Sequence, residues 1–401
     1  MKEIYLDNAA TTRVYPEVAE YMSRIMLKDY GNPSSLHMKG VDAEKHVKKA
    51  KTTLAGLLKC DEKELIFTSG ATESNNMALT GGAYANCRAG RHIIMSSVEH
   101  PSVSACGKFL AEQGFEVSYL PVDHKGRVMT DRLKEMIRDD TVIVSVMAVN
   151  NETGTMQPLE DIVKTVKSAN EKTLIHADGV QAFTKTMIYP KKMGLDMFSV
   201  SSHKFHGPKG VGLLWIRDKV KVRPLILGGG QQKDMRSGTE NVPGIAGMAL
   251  AAEMAFSDHD EKTEALYRLR KYFISKALDM EGVHVNGGMG RGSFCLSEDP
   301  EMCAAPHIVS LSFDDIRAEV LLHALEDRGI YVSSGSACSS NHPAKSSVLA
   351  AMKVPAQFMD ATIRFSFSFD TEEEQIEACL SALSELLPVL RRYTPGGRKH
   401  V

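Results

Sequence analysis

The stretch that decides the fold is MFSVSSHKFHGPKGVGLLWI, residues 197–216. Two short apolar runs, 197–201 and 211–216, read as strands, and between them lie Lys204 and a turn rich in glycine and proline. A lysine held at the end of a buried strand is partly desolvated and can act as a nucleophilic amine. Lys204 is therefore the first candidate catalytic residue, although most lysines are merely solvated surface charges.

The composition is that of a soluble globular protein of about two or three domains. The chain has 401 residues, 43% hydrophobic and 24% charged, and its net charge of -2 predicts neither nucleic-acid nor membrane binding. The charged N-terminus is unlike a signal peptide, and no apolar run is long enough to cross a bilayer. Seven scattered cysteines without a CxxC pair are typical of a reducing cytoplasm, so we expect a cytoplasmic protein without a metal site.

Apolar runs alternate with helical segments through the first two-thirds of the chain. This alternation predicts an α/β fold whose large domain has a mostly parallel seven-stranded sheet flanked by helices. After about Pro243 the pattern changes to a long helical stretch, 245–278, and then to a smaller α+β domain. We expect the large domain at 14–258 and the small domain at 1–13 and 259–401. The candidate strands of the large sheet are 64–68, 92–96, 115–120, 142–149, 173–176, 197–201 and 211–216.

Polar strings lie at or directly after the ends of candidate strands, at the edge where parallel sheets bind ligands. The helix that begins at Gly70-Ala71-Thr72 could bind phosphate through its free N–H groups, or these residues could form a simple cap. Asp178 needs a partner, either a protonated pyridine nitrogen or a buried cation. His100 could stack on a flat ring and move protons, or be an ordinary loop histidine. The strings are 68–74, 99–101, 150–154, 176–181 and 201–204.

These side chains together suggest a pyridoxal phosphate site. The site would offer a lysine to the aldehyde, a carboxylate to the ring nitrogen, an aromatic side chain to the ring face and a helix N-terminus to the phosphate. A dinucleotide is the alternative cofactor, but the sequence lacks a G-x-G-x-x-G fingerprint near a first strand.

Two further residues point to chemistry in the C-terminal third. Cys338 lies in the Ser-rich stretch 333–343, where an exposed thiol favours a functional role. Arg364 lies within an apolar strand, where a guanidinium needs a carboxylate. That carboxylate could come from the protein or from a substrate amino acid.

The ordered motifs of the chain resemble those of cysteine desulfurases, within the class V aminotransferase group of fold-type I pyridoxal-phosphate enzymes. The matching motifs are Tyr5–Thr12, Gly31–Ser35, the strand-end strings above, Gly228–Gln231, Arg236–Asn241 and Ser336–Cys338. Two departures are Gln232, where many members have glutamate, and the stretch Ser366–Asp370 after the Arg364 strand, where many members have a glycine. The stretch 341–347 looks closer to members associated with tRNA thiolation.

The resemblance implies a role for each matching residue, written here as an expectation. Lys204 would hold the cofactor and remove the substrate's α-proton, and Cys338 would accept the sulfur. The substrate carboxylate would bind to Arg364 with help from Asn151. Thr239 would reach the phosphate in the neighbouring subunit's site, which implies a homodimer. The remaining cofactor contacts would be His100 on the ring face, Asp178 at the ring nitrogen, Gln181 and Asn151 near the ring hydroxyl, and Ala71, Thr72, Ser201 and His203 at the phosphate.

The implied reaction converts L-cysteine to L-alanine and leaves a persulfide on Cys338. The persulfide would pass to an iron–sulfur scaffold protein or to a protein that thiolates tRNA or a cofactor. A selenocysteine lyase or another class V enzyme is the alternative, although an aminotransferase has no need of a loop cysteine. The third hypothesis is a non-catalytic partner protein, and the presence of both Lys204 and Cys338 argues against it.

Overall fold

The computed structural model describes residues 3–295, 302–334 and 346–392. Cys338, the expected sulfur acceptor, lies outside these ranges. Within them, strands and helices follow one another much as the hydrophobic pattern predicts. The strands are β1 (Ile4–Tyr5), β2 (Leu65–Thr68), β3 (His92–Ser96), β4 (Glu116–Leu120), β5 (Thr141–Ser145), β6 (Leu174–Asp178), β7 (Met197–Ser201), β8 (Gly212–Ile216), β9 (Val283–Asn286), β10 (Ile308–Phe313), β11 (Ile330–Tyr331), β12 (Ser333–Ser334) and β13 (Thr362–Ser366).

The large sheet has seven strands in the order β2-β8-β7-β6-β5-β3-β4. β8 is antiparallel to both of its neighbours, and the other pairs are parallel. Strands β5, β7 and β8 are buried along their whole length, as expected where helices cover both faces. The predicted mostly parallel seven-stranded sheet is therefore confirmed.

Helices connect these strands and cover the sheet. α3 continues through a π-helical turn, Met77–Gly81, directly into α4. The helices are α1 (Pro16–Lys28), α2 (Met38–Leu58), α3 (Ala71–Asn76), α4 (Gly82–Asn86), α5 (Pro101–Glu112), α6 (Thr130–Met136), α7 (Leu159–Ala169), α8 (Pro190–Met193), α9 (Val242–Phe256), α10 (His259–Leu278), α11 (Ala318–Glu326), α12 (Ser347–Ala351) and α13 (Glu373–Arg392).

The prediction of one long helix over 245–278 is wrong, because the chain forms two helices, α9 and α10. Asp258 separates them with a φ of 49°, in the left-handed region that aspartate and asparagine enter more readily than most residues. The N–H of Ser257 still bonds to the carbonyl of Glu253, and the N–H of Lys262 bonds to that of Asp258. The break is therefore only two residues wide, Ser257 and Asp258, and is too local for the apolar period to reveal.

A smaller antiparallel sheet, β12-β13-β10-β9, has a separate apolar core. That core joins Leu6, next to β1, to Phe273, Phe313 and Phe365. β1 pairs in parallel with β11, so the start of the chain packs with its C-terminal third. The proposed division after residues 13 and 258 stays a prediction.

Gly179, directly after β6, is expected to tolerate no side chain. A Cβ atom there would lie 1.9 Å from Cζ of Phe198, which is fully buried. Gly179→Ala should therefore lower the free energy of unfolding by about 1–3 kcal/mol, measured by urea denaturation. Gly56→Ala in α2, where a Cβ meets nothing within 4 Å, should instead raise it by about 0.5–1 kcal/mol. Equal changes in the two variants would contradict the packing argument.

Candidate active site

A cavity of about 610 Å³ opens at the carboxyl ends of the large-sheet strands. Its volume lies in the range of about 300–1,000 Å³ that ligand pockets occupy. Thr239 does not line it and is exposed to solvent. The predicted site residues that line it are Ala71, Thr72, His100, Asn151, Asp178, Gln181, Ser201, His203, Lys204 and Arg364.

Lys204 lies in a short 3-10 turn that follows β7. Its Nζ donates to the carbonyl of Ala9 at 2.7 Å and to that of Ala10 at 2.6 Å. The turn needs Gly207, because a Cβ there would lie 2.0 Å from Oγ of Ser202. The half-buried amine is thus held and oriented at the cavity wall by two backbone carbonyls.

His203 is joined to the same N-terminal segment. Its carbonyl accepts from the N–H of Thr12 at 2.8 Å, and its Nδ1 lies 3.2 Å from Oγ1 of Thr11. Burial, together with the charges of Lys204 and Lys209, lowers the pKa of His203 to about 4. The imidazole is therefore neutral at neutral pH, when it has one N–H to donate.

Asp178 is the last residue of β6 and is 4% exposed. Its Oδ2 accepts from Nδ2 of Asn75 at 2.8 Å, and its Oδ1 accepts from the N–H of Val180 at 3.0 Å. Both of these partners are neutral, so the described contacts are not those of a buried salt bridge. A carboxylate in this setting favours a cationic ligand group.

His100 caps the N-terminus of α5. Its Nδ1 accepts from the backbone N–H of Ser102 at 3.1 Å and lies 2.8 Å from the Ser102 hydroxyl. This network assigns the ring proton to Nε2. The Ser102 hydroxyl in turn accepts from Nδ2 of Asn75 at 2.9 Å, so one hydrogen-bonded chain joins His100 to Asp178.

Asn75 and Ser102 are functional candidates that the sequence analysis missed. Asn75 lies three residues after Thr72 on the same helix, so the helical spacing alone could have placed both on one face. Ser102 lies two residues after His100, where a hydroxyl can bond back to a capping side chain. Neither spacing reveals that Asn75 bonds both Ser102 and Asp178.

Arg364, on β13, lines the cavity and is 3% exposed. Its Nη1 donates to the carbonyl of Asn151 at 2.9 Å, and its Nη2 donates to Oδ1 of Asp7 at 2.7 Å. Nε is buried without a hydrogen-bond partner in the described part of the chain. The guanidinium thus has a protein carboxylate as partner and keeps donors for another acceptor.

The phosphate end of the predicted site is built from small residues at the start of α3. A Cβ at Gly212 would lie 2.6 Å from Cα of Gly70, so the two backbones touch. Glu73 accepts from the N–H of Ser69 and forms an ion pair with Arg236 at 2.9 Å. This pair holds the segment that leads to Thr239 against α3.

Two acidic side chains near the cavity hold protons more tightly than usual. Burial raises the pKa of Glu99 to about 8, although its Oε1 accepts from the N–H of Met147 at 2.7 Å. Burial also raises the pKa of Glu152 to about 7, and its Oε2 accepts from Oγ of Ser346 at 2.5 Å. Partial protonation near neutral pH reduces the negative charge that an anionic ligand would meet.

The comparisons with known proteins cover nearly the whole chain. The family model described as aminotransferase class-V matches residues 4–379. Cysteine desulfurase IscS of Dictyoglomus turgidum is 40% identical over 395 residues, 98% of this chain and 97% of that protein. Cysteine desulfurase IscS of Methanosarcina thermophila is 40% identical over 394 residues, 98% of this chain and 94% of that protein. The solved structure of a NifS-like protein matches with a TM-score of 0.89 and 38% identity, over 97% of this chain and 100% of that one.

The chain therefore belongs to the aminotransferase class-V family. Within that family, the resemblance to pyridoxal-phosphate-dependent cysteine desulfurases that the sequence predicted is confirmed, and so are the enzyme class and the cofactor. No described helix is both long and apolar enough to cross a membrane. No group of three or more His, Cys, Asp or Glu side chains suited to a metal ion occurs within the described ranges.

Proposed function

We propose that this protein converts L-cysteine to L-alanine with pyridoxal phosphate and retains the sulfur as a persulfide on Cys338. The main support for this proposal is that four functional groups share one cavity. The amine of Lys204, the carboxylate of Asp178, the imidazole of His100 and the guanidinium of Arg364 all line one cavity.

The residues of the cavity fit the cofactor group by group. Lys204 would bind the aldehyde carbon, and Asp178, whose described partners are neutral, would pair with the ring nitrogen. His100 would cover the ring face. When bound, the cofactor supplies an electron sink for a carbanion. The residues that would hold its other groups are Gln181 and Asn151 at the ring hydroxyl, and Ala71, Thr72, Ser201 and His203 at the phosphate.

The substrate would be held at the other side of the cavity. Arg364 would bind its carboxylate, with Asn151 beside it, through the donors that Asp7 and the Asn151 carbonyl leave available. The amine of Lys204 would accept the α-proton after the substrate displaces it. The carbonyls of Ala9 and Ala10 would keep that amine within reach, since they already bond it.

The sulfur transfer is a two-electron step between substrate and enzyme. The thiolate of Cys338 attacks the substrate sulfur, a sulfur–sulfur bond forms, and the Cβ–sulfur bond breaks. The electron pair of the broken bond stays with the carbon fragment, which takes up protons to become alanine. The persulfide would then pass to an iron–sulfur scaffold protein or to a protein that thiolates tRNA or a cofactor.

The active form would be a homodimer in the cytoplasm. Thr239 is exposed and lies outside the cavity of its own chain, which supports a contact with the phosphate site of a second copy. The ion pair between Arg236 and Glu73 fixes the segment that would reach across.

A single-turnover experiment tests the function. Purified protein with bound pyridoxal phosphate is mixed with L-cysteine without a reductant, and alanine and the mass of the Cys338 peptide are measured. One alanine per sulfur atom added to that peptide supports the proposal. Alanine without added sulfur would identify a lyase that releases its sulfur directly, and L-selenocysteine as the only substrate would identify a selenocysteine lyase. No alanine at all would overturn the proposed reaction.

A further inference from the structure

The N-terminal segment is bonded to the strand that carries Arg364. The carbonyl of Leu6 accepts from the N–H of Ser366 at 2.7 Å, and the N–H of Asn8 donates to the carbonyl of Ser366 at 3.3 Å. Asp7 itself forms a parallel bridge with Ser366, two residues along β13 from Arg364. Side chains two residues apart on a strand share one face, so Ser366 and Arg364 lie on the same face of β13. The bridge to Ser366 therefore places Asp7 beside Arg364.

The contact between these two side chains is short and largely shielded from water. Oδ1 of Asp7 lies 2.7 Å from Nη2 of Arg364, and the side chains are 19% and 3% exposed. Charge-assisted hydrogen bonds of this length fix the plane of a guanidinium as well as attracting it. The carbonyl of Asn151 bonds the other terminal nitrogen. Arg364 is therefore held at two points before any substrate arrives.

The charge of Asp7 also offsets part of the charge of Arg364. An unopposed buried guanidinium would attract every carboxylate strongly, including that of the product, which is the same as that of the substrate. Binding substrate and product more tightly by the same amount brings no gain in turnover. A neighbouring carboxylate weakens the binding of both substrate and product. It leaves in place the Arg364 donors that orient their carboxylates.

We propose that Asp7 is a positioning residue for the substrate carboxylate, which fixes the plane of Arg364 and moderates its affinity for that carboxylate. The inference rests on the proposed function, because it takes Arg364 as the group that binds the substrate. It assigns a role to Asp7, which lies 357 positions from Arg364 in the sequence.

Two substitutions separate the two effects. Asp7→Asn keeps an oxygen that accepts from Nη2 but removes the charge, so KM for L-cysteine and the inhibition constant of L-alanine should both fall about three- to tenfold. Asp7→Ala removes the acceptor as well, so the guanidinium can turn and KM should rise. Asp42→Asn is the matched control, since among the described residues Asp42 pairs only with exposed Lys45, and it should leave both constants unchanged.

The possible outcomes distinguish a failure of this inference from a failure of the proposed function. Opposite changes of KM in Asp7→Asn and Asp7→Ala, with melting temperatures close to wild type, support the inference. Unchanged KM in both, or a rise in both that follows a loss of thermal stability, overturns it while wild-type alanine formation leaves the proposed function intact. A wild-type protein that forms no alanine overturns the proposed function, and this inference with it.

Discussion

Lys204→Ala is expected to lower kcat for alanine formation by about 10²–10⁴-fold or more, the range that general acid–base catalysis contributes. The substitution removes the amine that the Ala9 and Ala10 carbonyls hold at the cavity wall. It thereby removes both the nucleophile for the cofactor aldehyde and the base for the α-proton. Steady-state alanine formation measures the loss, and the absorbance of the bound cofactor reports whether the covalent link has gone.

Lys204→Arg is the matched variant, because arginine keeps the positive charge and can still donate to the two carbonyls. A guanidinium stays protonated at neutral pH and can act neither as nucleophile nor as base. The arginine variant should therefore be as inactive as the alanine variant, and added methylamine should restore part of the activity of Lys204→Ala. Substantial activity in Lys204→Arg would show that only the charge of this residue matters.

The sequence predicts the large sheet well because its strands carry local signals. The strands over 92–96 and 197–201 are found at those bounds, since each is a short apolar run that ends in polar residues. β5 ends at Ser145, before the predicted end at Val149, because the buried stretch that follows leaves the sheet to line the cavity. An apolar run indicates that a stretch is buried, but it does not distinguish a strand from a buried loop.

From the sequence, the candidate site could be predicted only as a group of polar residues at the ends of strands. Parallel topology brings Asp178 and Lys204 to one edge of the sheet, so their place in the cavity follows from the strand pattern. The bonds from Lys204 to Ala9 and from Arg364 to Asp7 join residues 195 and 357 positions apart. No local pattern marks such pairs, so the sequence could say that Arg364 needs a carboxylate but not which one.

Asp178→Asn is expected to lower kcat/KM by about two to four orders of magnitude. This range corresponds to the cost of about 3–5 kcal/mol of removing one partner from a buried charge pair. Asparagine has the same shape but cannot stabilise a cationic ring nitrogen. The fold should survive, because the Asn75 amide can turn and offer its Oδ1, which has no hydrogen-bond partner in the described part of the chain. The amount of bound cofactor should change far less than the rate.

Asp196→Asn provides the control that separates catalysis from stability. Asp196 is also buried, and it accepts from Lys167 at 2.8 Å and from the N–H of Ile175 at 2.9 Å, but it does not line the cavity. Its replacement should lower the melting temperature with kcat/KM unchanged, because it deprives Lys167 of its buried partner. Asp178→Asn should show the reverse pattern, since its described partners are neutral. Equal losses of stability and rate in both variants would mean that Asp178 is structural and that the ring nitrogen has no carboxylate partner in this chain.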